Sequence, residues 1–185
     1  GISIAFSSAL TFDTGPNLIS YPYKISQTIE DAISSQSLNN ISTIAGNGNS
    51  KQYIDGQWYG SLDSFEPSES YLFSTTNSLE FVFNEPHNSS DYTESDSRYT
   101  IPELFIFNQS LYQEFYFIQT ADIADTSLID GEDWIGAFYG DVCIGAREWN
   151  GTYTDIPVMG FDENNTDTQG YIIAGEYPRF VVYDA

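Results

Sequence analysis

Residues 134–149 read WIGAFYGDVCIGAREW. Two runs of small, apolar and aromatic residues, 134–140 and 141–149, meet at Gly140-Asp141. Glycine and aspartate suit a tight turn, while aromatic and β-branched residues suit a pleated, half-buried surface. The stretch is expected to form two antiparallel strands. Outward from it, ELFIFNQ (103–109), LYQEFYFIQT (111–120), IPVMGF (156–161), GYIIAG (170–175) and PRFVVYD (178–184) read as further strands. Their spacing, with Gly and Asp between them, is that of an antiparallel sandwich.

The N-terminal half repeats the pattern with one exception. Strands are expected at 17–23, 41–45, 51–54, 71–75 and 79–83, with a turn at GNGNS (46–50) and a hairpin at Asp55-Gly56. The exception is KISQTIEDAISS (24–35), where Ile25, Ile29, Ala32 and Ile33 recur at helical spacing behind Ser26 as N-cap. Glu30 and Asp31 suit the early turns of that helix. The fold class is therefore all-β, mostly antiparallel β-sandwich units, with one short helix near residues 26–35. Four segments are expected: an N-terminal strand (1–13), a β-rich module with the helix (14–84), a polar linker or loop (85–100) and a β-sandwich module (101–185).

Composition limits the partners. The chain of 185 residues carries 27 acidic against 5 basic side chains, a net charge of −22. Phosphate contacts need Lys and Arg, so nucleic acid is excluded, and an anionic membrane surface is equally unsuitable. No apolar run is long enough for a membrane-spanning helix, so no membrane insertion is expected. Such a charge repels itself unless salt or divalent cations screen it, which points to an extracellular location, secreted or on a cell surface. Five Asn-x-Ser/Thr sites, at Asn40, Asn88, Asn108, Asn150 and Asn164, fit a secreted glycoprotein. The single cysteine, Cys143, excludes an internal disulfide and reads as a small buried hydrophobe.

Catalytic sets are hard to assemble. The one histidine, His87, stands in the polar segment without a nucleophile motif around it. One His and one Cys cannot build a zinc site of the usual kind, and no phosphate-binding glycine loop is present. The chain is therefore not expected to be an enzyme, and no cofactor motif is found. Calcium is the one metal the loops suit, because ADIADTSLIDGED (121–133) and DENNTDTQG (162–170) are rich in oxygen ligands. Asp130 and Asp133, with Asp122 and Asp125, would serve one site; Asp162 and Asp167, with Asn164, would serve another. Trp58, Trp134 and Trp149 with several Tyr could stack on glycan ligands.

PNLISYP (16–22), the short helix, and ISTIAG…WYGSLDSFEPSESYLF resemble a module that recurs in large secreted bacterial surface proteins. EDWIGAFYGDVCIGA…W…IPVMGFD…TQGY…GEYPRFVVYDA resembles a second module of the same kind of protein. The resemblance implies secretion, a β-fold and a scaffold or display role. It transfers no catalytic residue.

GISIAFSSALTFD (1–13) stands outside that resemblance. Its even positions, Ile2, Ile4, Phe6, Leu10 and Phe12, are large and apolar, and Ser8 interrupts them; the odd positions are small and mostly polar. Alternation and the lack of basic residues read as mature sequence, not as a signal-peptide remnant. The segment resembles the donor strands of pilus subunits, without the paired cysteines of chaperone-assisted pilins. Insertion into the next copy would be a head-to-tail contact that propagates. The expectation is a structural subunit of an extracellular pilus-like filament, a homopolymer joined through Ile2, Ile4, Phe6, Leu10 and Phe12. The alternative is a monomeric surface-display or adhesive module that binds glycan or calcium.

Overall fold

The computed structural model describes residues 9–86 and 101–185. It divides into two compact units, Gly1–Glu94 and Ser95–Ala185. Strand dominates both, as expected of an all-β chain. Among the described residues no helix is long and apolar enough to cross a membrane.

The first unit holds β1 (Leu10–Phe12), β2 (Gly15–Ser20), β3 (Gln27–Thr28), helices α1 (Ile29–Ala32) and α2 (Ser35–Leu38), β4 (Ile41–Gly46), β5 (Asn49–Ile54), β6 (Gln57–Tyr59), β7 (Ser64–Phe65), β8 (Ser70–Thr75) and β9 (Leu79–Phe81). Five strands form one antiparallel sheet in the order β2-β8-β4-β5-β6, while β1 pairs with β9 and β3 with β7. Asn47-Gly48 and Asp55-Gly56 close the two tight hairpins with all four φ angles positive, between 49° and 92°. That is the geometry whose twist matches the flanking strands. Phe12, Ile44, Phe65, Phe73 and Phe81 bring all three sheets to one core. Phe65 is its hub, with ring centroids 4.8 Å from Tyr71, 5.3 Å from Phe83 and 5.6 Å from Tyr21.

The expected helix is split into two single turns. Thr28, not Ser26, caps α1, its Oγ1 accepting from Asp31 N at 3.2 Å. Ile33 is extended, and Ser34 then caps α2 by accepting from Ser37 N. Two good N-cap residues six positions apart, in a run of Ser and β-branched Ile, favour restarting over continuing. Turns this short do not hold themselves; burial of Ile29, Ala32 and Ile33 anchors the pair. Ser26 instead donates its hydroxyl to Glu66.

Tyr71 lies buried beside Phe65, and its hydroxyl accepts the Glu66 amide at 2.7 Å. Burial holds its pKa above the ordinary tyrosine value, against the lowering effect of that amide. The folded unit then keeps a proton that the unfolded chain has already lost. Stability from this residue is complete below about pH 10 and falls as pH rises through the folded value. Urea midpoints of the first unit are expected to drop as pH rises above about 10, and Tyr71→Phe to flatten that drop. The same slope in wild type and variant would remove Tyr71 as its source.

The second unit holds a 3-10 turn (Glu103–Phe105), β10 (Gln113–Ile118), β11 (Asp122–Ile123), β12 (Thr126–Ser127), β13 (Trp134–Tyr139), β14 (Val142–Glu148), β15 (Thr154–Met159), a second 3-10 turn (Thr166–Thr168) and β16 (Arg179–Tyr183). The 134–149 stretch is the expected hairpin, turning through Gly140 at φ 60°. β14-β13-β16 form one antiparallel sheet, β10 and β15 another. The two approach closely at Gly145, where a Cβ would stand 1.7 Å from the Pro157 carbonyl oxygen. Ile135, Ile144, Ile156, Val158 and Met159 form the core between them. Cys143 is buried; its Sγ donates to the Gly145 carbonyl, and burial pushes the thiol pKa up.

Two expected strands are not strands. Residues 103–109 begin as the 3-10 turn Glu103–Phe105 behind Pro102 and continue outside any strand. There Phe105 plunges inward, against Phe138 at 5.7 Å and against Gly136, where a Cβ would lie 3.1 Å from its ring, and Phe107 packs beside it. Leu104 and Ile106 face solvent. Residues 170–175 keep one parallel bridge, Gly160 to Ile172, because Gly170 and Gly175 both take positive φ and break the run on either side.

Candidate functional site

Among the described residues β10 is paired on one side only, with β15. Strand alternation sends Glu114, Tyr116 and Ile118 to the same face. Tyr116 and Ile118 pack on the core of the second unit, whereas Glu114 is exposed. The strand thus overruns its core at its N-terminal end. Tyr112 continues the row there, and its carbonyl accepts the Gly160 amide at 2.7 Å. Gly160 permits this approach, since a Cβ on it would come 3.1 Å from Tyr112 Cβ.

The opposite wall is the segment that leads into β16. Tyr171 positions its start, its hydroxyl accepting the Asn108 amide at 2.7 Å. The Phe161 amide donates to the Ile172 carbonyl at 2.8 Å, and Gly175 turns the chain with φ 93°. Between this segment and β10 lies a groove of about 350 Å³. Val158 and Ile172 are its buried residues, and Tyr112, Tyr116, Phe161 and Ile173 also line it. Glu114 and Glu176 are the two carboxylates on its lining. Burial, then the negative charge of Glu114, raises the Tyr116 pKa. A largely apolar concavity with a few polar groups is the usual form of a ligand site. Compared with family models, with curated proteins and with solved structures, the chain matches none.

The residues singled out from sequence are placed differently from one another. Ile2, Ile4 and Phe6 lie outside the described residues, as do His87 and Asn88. Leu10 is 42% exposed and Phe12 only 3%. Phe12 stacks on Phe81 at 4.6 Å within its own unit, so it is a home-core residue rather than a free donor. The pattern of residues 2–12 suits either fate; burial by β9 decides it for Phe12. Asn108, Asn150 and Asn164 are exposed outside strands, where a glycan could be attached. Asn40 is half-buried at the end of α2, its amide donating to the Gln36 carbonyl.

In each of the two oxygen-rich stretches one buried carboxylate accepts backbone amides. Asp133 is buried; its Oδ2 accepts the Ile129 amide at 2.7 Å and its Oδ1 the Ala185 amide at 3.2 Å. Asp162 is buried and accepts the Asn164 amide at 2.9 Å. Asp130 and Asp167 are exposed, and Asp122 and Asp125 belong to the small β11–β12 hairpin. Among the described residues no group of three or more His, Cys, Asp and Glu is gathered as for a metal ion. Asp133→Ala is expected to lower the stability of the second unit by about 2 kcal/mol in chelator as well as in calcium, through two lost amide bonds. Thermal midpoints in both media check this. A loss seen only with calcium present would return Asp133 to a metal-holding role.

Each tryptophan packs in its own unit. Trp149 is buried in the second core; Trp58 packs against the first, and Trp134 against the Phe105 cluster. The groove was hidden from sequence because 170–175 read as a strand. The punctuation by Gly170, Gly175 and Pro178 was the signal that this run leaves the sheet.

Proposed function

We propose that the chain is a display or adhesive element of an extracellular surface protein, and that its second module engages a ligand through the Tyr112–Tyr116–Phe161 groove. The observation that carries this reading is the groove itself: an aromatic-lined concavity left open where β10 overruns its core. The charge of −22, suited to a saline exterior, and the exposed sequons support the location. The test compares wild type with a Tyr112→Ala/Phe161→Ala variant on a soluble glycan and small-molecule array. Both side chains are exposed, so the fold is expected to survive their loss. Signals that vanish in the variant, with an unchanged thermal midpoint, are the expected result. Identical profiles, or a blank array for both, would sink it.

Self-association is a second reading, favoured by one observation. Leu10 is exposed on β1 beside a small apolar cleft lined by Ile19, Pro22, Tyr23 and Phe83. In this reading Ile2, Ile4, Phe6 and Leu10 mediate contact with a second copy, with Phe12 no longer among them. Light scattering of the full chain and of one lacking residues 1–9 tests it. A monomer at high concentration in both would end the filament reading.

A further inference from the structure

The groove of the second module has an electrostatic sign as well as apolar walls. Glu114 and Glu176 line it, and among the described residues no Lys or Arg does. The two basic side chains described in this module are committed elsewhere. Arg147 is bound to the buried Asp155, Nη2 to Oδ2 at 3.3 Å, and Arg179 sits 5.5 Å over the Phe138 ring centroid. A carboxylate or phosphate ligand would therefore meet two like charges with no counter-ion, in a chain of net charge −22. A cation gains on both counts. It pairs with the carboxylates, and aromatic faces carry negative charge density that attracts it, quaternary ammonium groups above all. An apolar stem on that cation would cover Val158, Ile172 and Ile173.

We propose that the groove binds a small amphiphilic organic cation, with its ammonium head neutralised by Glu114 and Glu176 and its alkyl stem lying along Ile172 and Ile173. This rests on the groove being the ligand site. A neutral sugar could stack on Tyr112 or Phe161 and donate hydroxyls to the carboxylates but would leave their charge uncompensated, and the charge of the lining decides between the two.

Calorimetric titration of the full chain with hexyltrimethylammonium, hexyl glucoside and hexanoate tests the assignment, since the three share a stem and differ in head group. Only the cation is expected to bind, more weakly as salt rises. Glu114→Gln/Glu176→Gln, both at exposed positions, is expected to weaken it about tenfold, one charge-assisted interaction's worth. Tyr112→Ala is expected to weaken it without moving the thermal midpoint. Equal binding of glucoside and cation, or an unchanged affinity in the double Gln variant, overturns the cation while the groove reading stands. Binding of a lysine-rich peptide that needs Tyr112, with no binding of the small cation, overturns the small-ligand assignment. Silence towards every probe, together with a blank array, overturns the groove reading as well.

Discussion

Phe12→Ala is expected to destabilise the first module by about 3–5 kcal/mol, a large share of the stability of any small domain. The ring is buried, 4.6 Å from Phe81 and 5.5 Å from Phe73, and its strand is bonded to β9. Truncation removes aromatic area and leaves a cavity among rings that cannot collapse into it. The readout is urea unfolding followed by Trp58, which packs on the same core. The midpoint should fall at an unchanged slope. The transition reported by Trp134 and Trp149 of the second module should stay where it is. An inserted donor residue would behave in the opposite way: the dilute monomer would keep its stability and only assembly would suffer. Wild-type unfolding in the variant would thus return Phe12 to the filament interface.

Gly145→Ala is expected to cost the second module about 3 kcal/mol, at the upper end of overpacking effects. The added methyl would stand 1.7 Å from the Pro157 carbonyl oxygen and 2.6 Å from its carbon. The obstacle is backbone, which has no rotamer to escape into, so β14 and β15 must part. Cys143 reports the parting directly, because its thiol is buried and bonded to the Gly145 carbonyl. A thiol reagent should reach it faster in the variant than in wild type. Gly140→Ala is the matched control. Nothing lies within 4 Å of a Cβ there, so only the left-handed backbone is penalised, at about 1–2 kcal/mol. Equal losses at both positions would refute the close approach of the two strands.

The hairpins were legible because their information is local. Asn-Gly, Asp-Gly and Gly-Asp turns between alternating runs carry their own geometry, and the strands around 41–54, 134–149 and 156–159 follow from them. What failed to read was anything decided at a distance. ELFIFNQ has strand composition, yet the space beside Gly136 accepts one phenyl ring, and the chain turns to deliver Phe105 into it. The helix pattern at 24–35 was real in its buried residues but not in its continuity, since Thr28 and Ser34 each start a turn. Asp133 and Asp162 were legible as oxygen ligands but not as buried carboxylates; the backbone amides they accept come into view only in the fold. The groove was the least visible element. It is made by the end of β10 and by a segment about sixty residues later, and no window of sequence contains both.

The pairing of β1 with β9 has a consequence in time. The Thr11 hydroxyl donates to Glu80 across 69 positions. During synthesis β4, β5 and β6 can pair locally as they emerge, but Phe12 meets its first ring partner only when Phe73 is made and its second only when Phe81 follows. Joining the ends of so long a segment costs only slowly rising loop entropy, yet contacts of that range set the pace of folding. Closure of the first module is therefore its slowest native contact to become available. For as long as the ribosome takes to span that interval, β1 is an exposed part of the nascent chain, and a chaperone has its clearest opportunity there.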